Sequence, residues 1–342
     1  MFRILGHQVP VQHQKKPGLQ SDMHPKPVST HIPTEDGGYQ RYQAAGKLKG
    51  KRAIITGGDS GIGRAIAILF AMEGASCLIV YLPEEEKDAE ETKKKVQEHG
   101  CECHLLATDI RKKENCKTAV DVALRKLGGI DILVNNAAYQ NMIHGIADLS
   151  EWVPLVFLSL KWVRFLITRL INWLASREQW ERTFDTNIHP FFYLSKYAVP
   201  HLKDGSSIIN CSSVNHYIGR PDLLDYTATK GAIIAFTRAL SNQQIHNGIR
   251  VNCVCPGPSK CQSSSSFKQW DRFPRGWCKG IFTKYGLPSS HPPWTQKLWS
   301  SSAMSQWDVQ DNQARLLPAL SFWQAKTAVI SQDSVFIQME EL

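Results

Sequence analysis

The sequence predicts an α/β fold built on a doubly wound parallel sheet, and three observations lead to this prediction. From Lys51 onward, short apolar runs rich in β-branched residues alternate with longer helical segments. A glycine-rich loop separates the first apolar run from the first helical segment. The chain of 342 residues is 42% hydrophobic and 21% charged, which is ordinary for a globular protein with a sizeable core.

The elements follow in order along the chain. The near-continuous apolar character of the strand candidates indicates a parallel sheet that is covered on both faces. The candidate strands are 52–56, 77–81, 103–107, 131–134, 207–211 and 250–254. The candidate helices are 62–73, 85–98, 111–127, 178–202 and 226–246.

Composition divides the chain into an arm, one domain and a tail. Residues 1–48 are rich in Pro, Gln, His and Gly and lack apolar rhythm, so we expect a disordered or extended arm. Residues 49–258 form the predicted single domain, which contains an atypical insertion at 151–176. Residues 259–342 show no usable periodicity, and we expect an atypical, poorly ordered tail.

Charge and cysteine usage exclude several classes of function. The formal net charge is +9, but basic residues are mixed with acids, as in EEEKDAEETKKK, which is typical of a solvated helix rather than a nucleic-acid patch. A dinucleotide is the anionic partner that we expect. The nine cysteines include the pairs 101/103 and 253/255, whose spacing is not that of a zinc site. We expect no metal, reduced thiols, no signal peptide and a cytoplasmic protein.

Residues 152–174 form an apolar run about as long as a membrane span. Lys161, Arg164 and Arg169 lie inside it, and each central charge costs roughly 2.5–3.5 kcal/mol on insertion scales. We therefore expect no span, and keep membrane association through 152–174 as an alternative.

The segment AIITGGDSGIG (53–63) joins a strand to a helix through Gly57, Gly61 and Gly63. Glycines permit a tight turn and let the backbone approach a pyrophosphate, while the helix N-terminus offers free N–H groups. A structural turn is the alternative interpretation of such a loop when it is taken alone.

A second cluster comprises Ser213, Tyr226 and Lys230. Tyr226 and Lys230 are four residues apart and share a helix face. A tyrosine needs a neighbouring positive charge to exchange a proton near neutral pH, and Lys230 can supply it. Ser213 follows a predicted strand, and its hydroxyl could hold a substrate oxygen beside the phenol. A solvated helix face is the alternative for the Tyr–Lys pair alone.

Together these residues resemble the short-chain dehydrogenase/reductase family, with its Rossmann-like fold, from about Lys51 to Pro258. TGGDSGIG is similar to its cofactor loop, NNAA to its N-N-A-G element with Ala138 in place of glycine, and YTATK to its Y-x3-K motif. The loop, YLPEEE and the Pro/Gln arm resemble the branch called glucose and ribitol dehydrogenase homologues. The resemblance implies cofactor contacts from Gly57, Asp59, Ser60, Gly61, Ile62, Gly63, Tyr81, Asp109, Ile110, Asn136, Ala137, Ala138, Tyr226, Lys230, Pro256 and Gly257.

The resemblance also implies an activity, namely hydride transfer between NAD or NADP and an alcohol or carbonyl of a sugar, polyol or small carbonyl compound. Tyr226 would act as acid or base, and Lys230 would lower its pKa and bind the nicotinamide ribose. Ser213 would orient the substrate oxygen, and Asn187 would hold a water in a proton relay. The family implies a homo-oligomer, a tetramer, although the departures after Pro258 argue against this for the present chain.

Cofactor choice depends on the end of the second strand. An acid there favours a free ribose 2′-hydroxyl, but the strand ends Tyr81-Leu82-Pro83, and Glu84 follows at some distance. Asp59 stands in the loop where NADP-preferring relatives carry a base. These residues favour NAD slightly and leave NADP open.

The tail reads as family sequence in a shifted frame. When each codon takes the third base of one triplet and the first two of the next, FWQAKTAVISQD (322–333) permits LASKDSSYITGQ, whose Leu and Ala are forced. TKYGLPSSHPPW (283–294) permits IWTPLIPSTL, which supplies the family's Ile-x-Thr. We therefore interpret 259–282 and 151–176 as retained introns, the second preserving the frame. Splice-site pairs flanking both segments would support this, and a lineage-specific tail is the alternative.

This interpretation affects the expected function. The encoded function is an oxidoreductase, but the translated chain lacks the family's last strand, so we expect an unpaired sheet edge, poor solubility and low activity. The alternative from another class is a catalytically impaired dinucleotide-binding protein.

Overall fold

The structure is a computed structural model that describes residues 18–23, 27, 29–33, 38–143, 146, 178–257, 328–330 and 335–336. All of the insertion 151–176 and most of the tail lie outside these residues. The strands are β1 (His31–Pro33), β2 (Tyr39–Arg41), β3 (Arg52–Thr56), β4 (Ser76–Tyr81), β5 (Cys103–Ala107), β6 (Ile132–Asn135), β7 (Ser207–Cys211), β8 (Arg250–Cys255), β9 (Ala328–Ile330) and β10 (Val335–Phe336).

Helices connect the strands of the main sheet. They are α1 (Gly61–Met72), α2 (Glu86–Gln97), α3 (Lys113–Leu127), α4 (described over 178–187), α5 (His189–Ala198), α6 (Asn215–Ile218) and α7 (Leu224–Gln244). The helix predicted over 178–202 is two helices followed by a 3-10 turn, because Pro190 lacks an N–H and disfavours helical backbone before it. The short α6 was not predicted.

The sheet confirms the doubly wound α/β prediction. Its order is β10-β9-β8-β7-β6-β3-β4-β5, and the pairs from β8 to β5 are all parallel. Successive residues alternate between two cores. Ile55 and Ile79 pack in the core that contains Phe70 of α1, whereas Ile54 and Leu78 pack in the opposite core. Both faces of the sheet are therefore covered, as its apolar strands require.

The arm differs from its expected disorder in the residues that the structure describes. Gln20–Asp22 form a 3-10 turn, and β1 and β2 pair antiparallel as a small second sheet. Gln20, Met23 and Tyr42 are buried, and the Tyr42 hydroxyl donates a hydrogen bond to the Glu73 carboxylate at the end of α1. Polar side-chain contacts dock this arm, which explains why apolar periodicity did not reveal the docking.

The edge beyond β8 also differs from expectation. We expected this edge to be unpaired, but β9 from the tail pairs antiparallel with Cys253–Cys255, and β10 pairs with β9. The backbone groups at this edge thus have partners over three residues. The rest of the tail lies outside the described residues, so its predicted disorder stays a prediction.

Within the described part of the chain, no helix combines the length and the apolar character needed to cross a membrane. The apolar run 152–174 lies outside this part. The seven cysteines that are described are free, and Cys77 and Cys103 face each other on adjacent strands with their Sγ atoms 3.7 Å apart.

Candidate active site

The strand order places a crevice at the carboxyl ends of β3 and β6. From β3 the chain winds outward through β4 and β5, and then returns to the other side through β6, β7 and β8. Ligands of doubly wound sheets bind at such a switch point, outside the carboxyl ends of the strands. The glycine loop, Asn136, Ser213 and Pro256 follow the carboxyl ends of β3, β6, β7 and β8 in turn.

The glycine loop is a tight cradle between β3 and α1. Gly57 and Gly61 have φ values of 62° and 54°, in the left-handed region that favours glycine. A Cβ on Gly63 would lie 1.9 Å from the Gly57 carbonyl oxygen. Glycine is thus required at Gly63 for packing and at the other two positions for backbone conformation.

Thr56, Asn136 and Ala137 hold this cradle from below. The Thr56 hydroxyl accepts hydrogen bonds from the backbone N–H groups of Asn136 and Ala137 at 2.9 and 3.0 Å. The Asn136 amide in turn donates to the carbonyl oxygens of Thr56 and Gly57. Ala138 follows as an exposed residue. The sequence motifs did not indicate the part that Thr56 plays.

The first turn of α1 offers donors for an anion. Ser60 precedes the helix in extended conformation, and its side chain makes no capping bond. Among the described residues, no acceptor meets the N–H groups of Ile62 and Gly63, whereas the Gly61 N–H donates to the Gln20 carboxamide at 2.6 Å. Two free N–H groups at a positive helix end, above a cradle without side chains, fit the pyrophosphate of a dinucleotide.

Acidic residues gather beside the end of β4. Burial raises the pKa of Asp59 to about 6, and its Oδ2 has no hydrogen-bond partner among the described residues. Burial, followed by the nearby Asp59 charge, raises the pKa of Glu85 to about 8. Tyr81 is buried, and its hydroxyl donates to Glu86 at 2.6 Å. This end of the site therefore becomes more negative as pH rises.

Asp109 and Ile110 lie just after β5, in the turn that leads to α3. The Arg111 guanidinium forms a salt bridge with Asp109 and lowers the pKa of its carboxyl group. Asn115 donates to the Asp109 carbonyl at 2.8 Å, and Cys116 donates to the Ile110 carbonyl. The turn is thus fixed by its own neighbours.

Two hydrogen bonds tie the helix that carries Tyr226 to the end of β7. The Lys230 ammonium donates to the Cys211 carbonyl at 2.8 Å, and the Ser212 hydroxyl donates to the Lys230 carbonyl at 2.7 Å. Ser213 follows directly and is buried, with its hydroxyl accepting from the Asn215 N–H. These contacts bring Ser213, Tyr226 and Lys230 into one region.

Lys230 is buried under the Tyr226 ring. Its Nζ lies 5.3 Å from the ring centroid, and the side chain is 1% exposed. Burial lowers the pKa of Lys230, because the charged form loses its hydration. A cation held this close to a phenol favours the phenolate and so lowers the energy of proton transfer from Tyr226.

Asn187 joins α4 to α7 from the end of α4. Its carboxamide accepts from the Tyr139 N–H at 2.7 Å and donates to the Tyr139 carbonyl and to the Thr229 hydroxyl. Thr229 in turn donates to the Tyr226 carbonyl at 2.7 Å. Asn187 is therefore bonded directly to the tyrosine helix, through Thr229, which lies three residues after Tyr226.

Pro256 and Gly257 lie at the carboxyl end of β8, and the Pro256 carbonyl accepts from the Val214 N–H at 3.1 Å. The chain after β8 is thus bonded to the residue that follows Ser213. Pro258 lies outside the described residues.

A polar network behind the site was missed by the sequence motifs. Asp225 is fully buried, and its carboxylate accepts from the Thr183 hydroxyl at 2.7 Å and from the Gln179 amide at 3.1 Å. Gln179 and Asn141 also exchange two hydrogen bonds. The position of Asp225 next to Tyr226 places it beside the site. Its partners Thr183 and Gln179 are far away in sequence, so motif spacing does not reveal them.

Comparisons with known proteins agree with this geometry. Residues 51–160 match the family model described as short chain dehydrogenase, and residues 163–287 match the model described as enoyl-(acyl carrier protein) reductase. The second match begins inside the segment 151–176 and ends after Pro258. The family match therefore extends beyond the boundary that we expected.

An uncharacterized oxidoreductase of Schizosaccharomyces pombe is 47% identical over 247 residues, which are 72% of this chain and 76% of that protein. The glucose and ribitol dehydrogenase of Daucus carota is 41% identical over 261 residues, covering 74% of this chain and 77% of that protein. A short chain dehydrogenase from Burkholderia cenocepacia, solved in complex with NADP, is similar with a TM-score of 0.55 and 27% identity, over 66% of this chain and 84% of that one. The chain therefore belongs to the short-chain dehydrogenase/reductase family of oxidoreductases.

Proposed function

We propose that this oxidoreductase interconverts an alcohol and a carbonyl compound with NAD or NADP, using Tyr226 as its acid and base. The observation that carries the proposal is the double tie between Lys230 and the end of β7, which holds Ser213 and the tyrosine helix together. This pair lies at the same edge of the sheet as the glycine cradle. A nicotinamide cofactor supplies the hydride chemistry when it is bound.

The residues of the chain supply placement and proton transfer. In the reductive direction the Tyr226 hydroxyl donates its proton to the substrate oxygen, and in the oxidative direction the phenolate takes it back. The Ser213 hydroxyl holds the same oxygen, and Lys230 stabilises the phenolate and binds the nicotinamide ribose. Asn187 holds a water that connects Lys230 to solvent.

The proposed cofactor residues fall into two groups, one at the pyrophosphate and one around the adenosine and nicotinamide ends. Ser60, Ile62 and Gly63 hold the pyrophosphate, with Gly57 and Gly61 shaping the loop beneath it. The remaining contacts surround the adenosine and nicotinamide ends, namely Asp59, Tyr81, Asp109, Ile110, Asn136, Ala137, Ala138, Pro256 and Gly257. The Asp59 carboxyl group favours NAD, because its charged form would repel an additional 2′-phosphate.

The proposed substrates are sugars, polyols and small carbonyl compounds, a class supported by the name of the Daucus carota relative. The free cysteines among the described residues support a reducing, cytoplasmic environment. The family favours a homo-oligomer. The low activity expected from the tail remains a prediction of the sequence.

A Tyr226→Phe variant tests the proposal. The full chain would be assayed with NADH and NADPH against sugars, polyols and short aldehydes, in parallel with direct cofactor binding. Loss of the Tyr226 hydroxyl should lower kcat by about 10²–10⁴, because no group then exchanges the proton with the substrate. The cofactor Kd should be unchanged, because the aromatic ring and Lys230 remain. Tyr39→Phe, at an exposed tyrosine of the arm, is the matched control and should keep full activity.

Equal activity of the wild type and Tyr226→Phe would exclude Tyr226 as the acid and base. Binding of NADH or NADPH without turnover of any substrate would favour the dinucleotide-binding alternative.

A further inference from the structure

The arm reaches the cofactor loop through one side chain. The Gln20 carboxamide oxygen accepts a hydrogen bond from the Gly61 N–H at 2.6 Å, and Gln20 is 5% exposed. Gly61 has a left-handed backbone and precedes Ile62 and Gly63, whose N–H groups meet no acceptor in the described part of the chain. Gln20 thus fixes the orientation of the peptide next to the phosphate donors.

The backbone of the arm is held at the same point. The N–H groups of Gln20 and Ser21 donate to the Asp88 carboxylate at 2.5 and 3.2 Å. Asp88 is fully buried in α2 and also accepts from the Arg64 guanidinium at 3.0 Å. The arm is therefore bonded to a buried charge and not to a mobile surface side chain.

Further hydrogen bonds from α1 and α2 hold the glycine loop on the same side as the arm. Arg64 donates through Nε to the Asp59 carbonyl at 2.8 Å, and Thr92 donates to the same oxygen. Asp59 and Gly61, which flank Ser60, are thus held from outside by α1, α2 and the arm. Removal of the Gln20 side chain would leave the Gly61 peptide, next to the phosphate donors, without this hydrogen bond.

We propose that Gln20 is a positioning residue of the cofactor site, which couples docking of the N-terminal arm to dinucleotide affinity. The inference rests on the proposed function of the glycine loop as a cofactor cradle. Because coupling between two equilibria is reciprocal, a docked arm strengthens cofactor binding and a bound cofactor stabilises the docked arm.

The test measures cofactor binding to the full chain, by fluorescence titration with NADH and NADPH, for the wild type and for Gln20→Ala. Loss of one hydrogen bond to the loop should raise the Kd about five-fold. The matched control is Tyr42→Phe, which removes an arm contact to Glu73 at the opposite end of α1, a helix of 12 residues and about 18 Å. This control should lower the Tm and raise the Kd less than Gln20→Ala does, because it weakens docking of the arm but leaves the hydrogen bond between Gln20 and Gly61 in place.

Hydrogen exchange of the wild type provides a second measurement, which does not depend on the folding of a variant. Amide exchange at Gln20 and Ser21 should slow when NADH or NADPH is bound. An unchanged Kd in Gln20→Ala, an equal loss of affinity in Tyr42→Phe, or exchange that ignores the cofactor would overturn the inference. A wild type that binds neither dinucleotide would overturn the proposed function as well.

Discussion

Lys230 combines two properties that rarely occur in one side chain, full burial and a position against a titratable ring. Its ammonium has a carbonyl partner at 2.8 Å and a phenol ring 5.3 Å away. Burial disfavours the protonated form of Lys230, whereas the hydrogen bond to the Cys211 carbonyl oxygen favours it. The Tyr226 ring lies directly against this cation, so the charge on Lys230 can stabilise the phenolate.

Replacement of Lys230 by Met should therefore shift the pH dependence of kcat/KM as well as lower the rate of turnover. Without the cation the phenolate is less favoured, so the pKa of Tyr226 rises, and the basic group required for alcohol oxidation titrates at higher pH. We expect the limb of the kcat/KM profile to shift upward by about one pH unit or more. Lys196→Met, at an exposed lysine of α5, is the control. An unshifted limb would contradict this role.

The motifs predicted the central site residues because their spacing has a direct geometric meaning. Four residues separate partners on one helix face, and glycines mark a loop between strand and helix. Gln20, Thr56 and Asp225 have no such spacing. Gln20 and Gly61 are 41 residues apart, Thr56 and Asn136 are 80 apart, and Asp225 and Thr183 are 42 apart, so only the folded chain brings the members of each pair together.

At the scale of elements, one buried ion pair joins α1 to α2. The guanidinium of Arg64 lies 3.0 Å from Asp88 and 3.3 Å from Glu91. Arg64 and Asp88 are both almost completely excluded from solvent. The two helices cover the same face of the sheet, and this pair fixes their separation next to the cofactor loop.

Replacement of Asp88 by Ala should be strongly destabilising, because Arg64 would remain buried with only Glu91 as a charged partner. We expect a loss of about 3 kcal/mol in the free energy of unfolding, measured by urea denaturation. Asp121→Asn breaks the exposed pair with Lys117 on α3 and should change the same quantity by less than about 0.5 kcal/mol. Equal effects of the two variants would show that burial does not govern the pair.

Element boundaries were predictable where polar residues flank a short apolar run. The predicted strands 103–107 and 207–211 coincide with β5 and β7, since apolar runs end at polar or glycine residues. The short α6 and the split at Pro190 were missed, because one-turn helices lack periodicity and the apolar pattern continues through the break. The tail strand β9 was also missed, because its pairing with β8 is not encoded in any local pattern.

At the scale of the whole molecule, the family models extend into 151–176 and across 259–282, the two segments that we interpret from the sequence as retained introns. We expect transcripts of the same gene that lack the codons for 151–176 and 259–282 and that read IWTP after the second junction. Sequencing of complementary DNA across codons 150–178 and 257–284 checks this expectation. A genomic sequence without splice sites at these junctions would exclude it and would favour a lineage-specific tail.

The paired hydrogen bonds between Asn141 and Gln179, at 2.8 and 3.1 Å, join two described positions that are 38 residues apart and that flank the segment 151–176 in sequence. Closing a flexible loop costs only about 0.6 kcal/mol more for each doubling of its length. We therefore expect that 151–176, which lies between Asn141 and Gln179 in sequence, can be exchanged for a fluorescent reporter domain. Because Gln179 also bonds to Asp225, beside Tyr226, hydrogen bonds connect this insertion position to the helix that carries the tyrosine.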